Sequence, residues 1–148
     1  MKPRLVLDTN VILDLLVFQD PAAEIIRIVL ETKQMDAVRT EESMLELADV
    51  IQRTAFKLSK EEQEIILQAW ESSTRLLENT AIEQAPFACR DPDDQVFINL
   101  AFSVRPALLL SKDLRVLELH PIAMRYGVEI TQDYERVRHF STPLTESL

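Results

Sequence analysis

The stretch RLVLDTNVILDLLVF (residues 4–18) changes character at Asp8. RLVLD (4–8) is a short apolar run ending in an acid, which reads as a buried strand. TNVILDLLVF continues at once as a helix, with Asp8 or Thr9 at its N-cap. Outward from this pair the alternation repeats. A helix restarts at Asp20-Pro21 with proline in its first turn and runs to about residue 34. MDAVRT (35–40) reads as a second strand and EESMLELADVIQR (41–53) as a helix, with Met44, Leu47, Ala48 and Ile51 on one face. Residues 59–77 form a long helix with the capping box Ser59/Glu62. TAIEQA (80–85) is expected as the third strand, 92–104 as a helix, and ALLLS (107–111) as a fourth strand, apolar throughout. A short helix begins near Asp113, VEIT (128–131) is the fifth strand, and QDYERVRHF closes the series as a helix. Alternating helices and buried strands imply an α/β fold, a parallel sheet with helices on both faces.

The 148 residues suffice for one domain, expected over 1–148, with a flexible tail from about 141. Apolar residues make up 47% and charged residues 28%, as in ordinary globular proteins. No apolar run reaches the roughly 18–20 residues that span a bilayer. The run after the basic N-terminus stops at Asp8, too early for a secretory signal. One cysteine, Cys89, fits a reducing compartment, so a cytoplasmic location is expected. The single glycine, Gly127, excludes Gly-rich phosphate loops and with them most nucleotide-cofactor classes. A net charge of −9 argues against bulk affinity for nucleic acid, though not against a local basic rim.

In parallel sheets ligands bind beyond the carboxyl ends of the strands, and acids stand there. Asp8 ends the first strand, Asp113 follows ALLLS, and Asp91, Asp93 and Asp94 open the helix that feeds ALLLS. Glu42, Glu46 and Asp49 share the polar face of helix 41–53, and periodicity does not choose among them. Each acid has a plain explanation: Asp8, Asp91 and Asp113 can cap helices, and Asp94 can favour a helix dipole. Together, acids from several strand-to-helix junctions on one edge would repel strongly without a cation. Oxygen-only ligands suit magnesium or manganese rather than zinc. Such a site can support phosphodiester hydrolysis.

The chain resembles the PIN-domain family. LVLDTNVILDLL, SMLELADVIQR, CRDPDDQVFINLA, LLLSKDLRVLEL and GVEIT follow in the family's order and cover most of the sequence. The resemblance is to the branch of VapC-like ribonuclease toxins of toxin–antitoxin pairs. The resemblance implies a five-stranded parallel sheet and a ribonuclease that uses one or two Mg²⁺ or Mn²⁺ ions. It implies Asp8, Glu46, Asp94 and Asp113 as catalytic and metal-holding acids, Asn10 and Ser111 as supports, and Asp91 as an auxiliary acid or cap. It further implies an antitoxin partner and a homodimer, for which helix 59–77 offers a surface. The chain departs from the family in reading SVRPA and SKD where glycine-containing turns are usual, so Lys112 stands beside the last acid.

Arg53, Arg90 and Lys112, with Lys57 and Arg115, lie near the motif ends and are candidates for contacting RNA. His120, His139 and Cys89 lie outside the acid set and read as structural, and Trp70 as core or interface. Two other classes fit parts of the pattern. A phosphotransferase with Asp8 as nucleophile would need an acid at position 10, where Asn10 cannot move a proton. A non-catalytic module could use the acids to hold a structural cation or a basic partner.

Overall fold

The computed structural model describes residues 2–141, and apart from Ser141 the expected tail lies outside them. The elements run β1 (Arg4–Leu7), α1 (Thr9–Leu16), α2 (Glu24–Glu31), β2 (Asp36–Arg39), α3 (Glu41–Ile51), α4 (Lys60–Ser73) and β3 (Arg75–Leu76). They continue α5 (Gln95–Ser103), β4 (Ala107–Leu110), α6 (Leu114–Leu117), α7 (His120–Arg125), β5 (Val128–Thr131) and α8 (Arg136–Ser141). The five strands form one sheet in the order β3-β2-β1-β4-β5, with every pair parallel. The expected α/β class and strand count therefore hold.

Side chains alternate between the two faces of each strand, and each face has its own core. Leu5 and Leu7 of β1 and Leu108 and Leu110 of β4 pack beneath α1, α2, α3, α4 and α8. Val6 and Leu109 point the other way, with Val128 and Ile130 of β5, beneath α5, α6 and α7. Trp70, 2% exposed, belongs to the first core. Among the described residues no helix is long and apolar enough to cross a membrane.

The third strand is not TAIEQA. Residues 79–81 make a 3₁₀ turn, and the amides of Glu83 and Ala85 donate to the side chains of Ser103 and Asn99 on α5. With those donors engaged, the segment has less backbone to offer a sheet edge. Arg75–Leu76 pairs with Val38 and Arg39 instead. This requires α4 to stop at Ser73, short of the expected residue 77. The hydroxyls of Ser72, Ser73 and Thr74 turn back onto carbonyls four residues earlier, a bonding mode that loosens a helix end. Elsewhere ends shift: the turns at Pro21–Ala23 and Pro92–Asp94 are 3₁₀, and α8 starts only at Arg136.

Placement of the site follows from the strand order. β2 and β3 lie on one side of β1, β4 and β5 on the other. The crevice where winding reverses is therefore beyond the carboxyl ends of β1 and β4. The register pairs Leu7 with Leu110, which sets Asp8 beside Ser111.

Candidate active site

Asp8 leaves β1 in an extended conformation and caps α1, its Oδ1 accepting from the Thr9 amide at 2.7 Å. Its Oδ2 accepts from the Ser111 hydroxyl at 2.6 Å. Only 3% of the residue is exposed. Burial pushes its carboxyl up to about 6; bonds from Ser111 and Thr9 oppose this, and the charges of Glu46 and Asp113 reinforce it. Capping and a site role are thus compatible, since a carboxylate has lone pairs for more than two donors.

Ser111 also accepts from the Asp113 amide at 3.0 Å. One hydroxyl thereby couples the loop after β4 to the acid after β1. Asp113 caps α6 through the Arg115 amide at 2.9 Å. Partial burial would raise its carboxyl, but the Arg115 amide, the Asp94 carboxyl and the Arg115 guanidinium hold it below the usual range. Asn10 Oδ1 accepts from the Lys112 amide at 3.3 Å, a second tie between the same two loops.

Glu46 arrives from α3, whose start is set by a reciprocal capping box between Thr40 and Ser43. The Thr9 hydroxyl donates to Glu46, anchoring α3 to the first turn of α1. Of the three acids that periodicity left open, Glu46 is half-buried and turned to Thr9, while Glu42 and Asp49 are exposed.

Asp94 ends the 3₁₀ turn and precedes α5, yet its side chain caps nothing. Its Oδ2 is buried with no hydrogen-bond partner. Burial, contact with the Asp113 carboxyl and the charge of Asp8 push Asp94 up to about 7. A buried oxygen without a donor is costly and calls for a cation or a proton. Asp91 is the cap, accepting from the Asp93 amide at 3.0 Å, and Asp93 is exposed.

Of the candidate basic residues, Lys57 has no side-chain partner among the described residues, while the other four are paired. Arg53 pairs with Asp49 at 3.4 Å and Arg90 with Glu118 at 2.6 Å, and neither bonds to any of the four acids. The Lys112 ammonium lies 2.7 Å from Asp14, a buried residue whose carboxylate also accepts from Tyr134 at 2.6 Å. The basic residue that does touch the acids is Arg115. It bridges Asp91 at 3.1 Å and Asp113 at 3.4 Å. Sequence reasoning treated it only as rim, and Thr9 only as a cap. Asp14 could have been noticed as an acid interrupting the apolar run VILDLL, which must find a partner when its helix is buried.

Asp8, Asp94 and Asp113 are near enough to act on one another's titration, and Glu46 acts on Asp8. Among the described residues, however, no three acidic, histidine or cysteine side chains close around one point as an ion-holding group. The donor set is all oxygen and includes an orphaned buried carboxylate oxygen, which fits a hard divalent cation.

A family model described as PIN domain matches residues 4–115, a span that includes all four acids. No curated protein matches the chain. PIN domains are generally nucleases and use divalent metal ions. With well over half of its length matched, the chain belongs to the PIN-domain family.

Proposed function

We propose that this chain is an Mg²⁺- or Mn²⁺-dependent endoribonuclease, acting in the cytoplasm as the toxin of a toxin–antitoxin pair. The observation that carries the nuclease reading is the buried, unpartnered Oδ2 of Asp94, an acid whose carboxyl meets Asp113 and feels the charge of Asp8. Asp8, Glu46, Asp94 and Asp113 would hold the ion or ions. The chemistry a divalent ion supplies when bound there is Lewis acidity, which makes water a better nucleophile and steadies a leaving oxygen.

The chain's own groups do the positioning. Ser111 and the Thr9 amide orient the two oxygens of Asp8, and the Thr9 hydroxyl orients Glu46. Arg115 restrains Asp113 and offers a guanidinium at the rim, where phosphate oxygens are commonly met by arginine. Asn10 holds the Lys112 amide and so the approach to Asp113. Arg53, Arg90 and Lys112 would meet RNA through the N–H groups their present partners leave over.

The test is cleavage of a mixed pool of structured RNAs in Mn²⁺, Mg²⁺ or EDTA, with Asp94→Asn alongside. Metal-dependent cleavage that vanishes in the variant is expected; a folded protein inert in every metal would refute the nuclease reading. Growth arrest on expression of the intact chain, absent for Asp94→Asn, tests the toxin role and gives the assay with which an antitoxin would be sought. Homodimerisation through the α4 face, where Ile65 is 65% exposed, is tested by solution mass.

A further inference from the structure

At the opposite end of the sheet from the acids, the amino ends of β1, β2 and β3 surround a cavity of about 340 Å³. That is the low end of the volume range of small-molecule sites. Its lining includes Lys2, Lys33 and Arg75 against one carboxylate, Asp36, over a floor with Leu30 and Met35. Asp36 is already engaged: Arg75 bonds it at 2.7 Å, and the Arg4 guanidinium stands behind it at 3.9 Å, with a buried Nε that has no hydrogen-bond partner. The Lys2 and Lys33 side chains have no ion-pair or hydrogen-bond partner among the described residues.

Two helices, α2 and α4, end at this cavity. Each helix carboxyl end contributes about half a negative charge at most. Together they offset one of the cations and Asp36 another, so a net positive charge of about one to two remains. This occurs on a chain whose net charge is −9. Lys33 also occupies a left-handed backbone position, φ 55°, just past α2, where glycine or asparagine is the usual occupant. A lysine there forgoes a more comfortable backbone and points a charge at the cavity rim.

We infer that this cavity binds a phosphate group through Lys2, Lys33 and Arg75, with Asp36 holding the Arg75 fork in place. The group can be free inorganic phosphate or the terminal phosphate of an RNA; either meets the same cations. The site is independent of the acid edge and of the nuclease reading.

The experiment is titration of the ¹⁵N-labelled full chain in EDTA, at about 0.15 M salt, where surface fields reach only about 8 Å. The probes are inorganic phosphate, a short 5′-phosphorylated RNA and the same RNA with a 5′-hydroxyl. Saturable amide shifts confined to residues around Lys33, Asp36 and Arg75 are expected. Preference for the 5′-phosphorylated RNA over both other probes assigns the source to RNA; free phosphate binding as tightly assigns it to the inorganic ion. Lys33→Asn should weaken binding about tenfold or more while folding at least as stably, because asparagine suits the left-handed position. Asp94→Asn should bind as the parent does, whether or not the chain cleaves RNA. Shifts that never saturate, or that persist in Lys33→Asn, would mean an adventitious ion only and overturn the site.

Discussion

Ser111 donates to Asp8 across 103 positions of sequence, from a residue that is itself fully buried. The bond exists because β1 and β4 pair in register through Leu7 and Leu110, so the residue after each strand faces the other. The same hydroxyl accepts from Asp113, which makes it the link between two of the candidate acids.

Ser111→Ala should therefore act on both. It strips a donor from a buried carboxylate and an acceptor from the Asp113 amide. A loss of about 1–3 kcal/mol in folding stability is expected, the usual cost of orphaning a buried polar group. Ser111→Thr should retain most of it, since the hydroxyl is kept. Urea unfolding of both variants checks the contrast, and cleavage should fall more for alanine than for threonine.

Metal-free protein should lose stability as pH rises through the range where Asp8 and Asp94 ionise. Both carboxyls sit above their ordinary value, at about 6 and about 7. The folded state thus binds more protons than the unfolded state between about pH 4 and 7, and this contribution to stability falls with rising pH. Asp113 and Glu129, held low, contribute in the opposite sense at lower pH. A divalent ion should then raise the melting temperature more at pH 8 than at pH 5. Melting curves in EDTA and in Mn²⁺ across that range decide it, and an ion effect independent of pH would contradict the proposed ligand role.

Asp94→Asn removes the least comfortable charge of the set. In EDTA at pH 8 its melting temperature should equal or exceed that of the parent, the familiar trade between stability and a strained site. Cleavage should drop by about two orders of magnitude or more, the scale of losing one preorganised electrostatic group. Destabilisation in EDTA would show that Asp94 is structural instead.

Lys112→Ala should behave as a stability variant more than as a binding one. Asp14 has a side chain 8% exposed and would keep only Tyr134 as partner. Breaking a buried pair costs about 3–5 kcal/mol; because Lys112 itself is partly exposed, about 1–3 kcal/mol is expected. Arg53→Ala and Arg90→Ala, at exposed pairs, should stay within about 0.5 kcal/mol. Thermal unfolding of the three variants side by side tests this ranking.

The sequence by itself determined the parallel sheet. After Arg4, LVL and ALLL are short, continuous apolar runs that read as covered strands, and Asp8 and Asp113 follow them as caps of the next helices. It also placed the acids at strand ends, because strand-to-helix turns are local and their caps are readable. Tertiary structure decided the rest. Whether β3 was TAIEQA or Arg75–Leu76 depended on Asn99 and Ser103 capturing the former's amides from α5. Choosing Glu46 over Glu42 and Asp49 on geometry needed the Thr9 hydroxyl, which only the approach of α1 to α3 supplies. That Lys112 turns to Asp14 of α1 while Arg115 turns to Asp91 and Asp113 could not be read from spacing, since Lys112 and Asp14 lie 98 positions apart and Asp91 sits on another loop. Local patterns report backbone preference and burial; the partner of a long charged side chain is set by what packs beside it, and that is known only once distant segments meet.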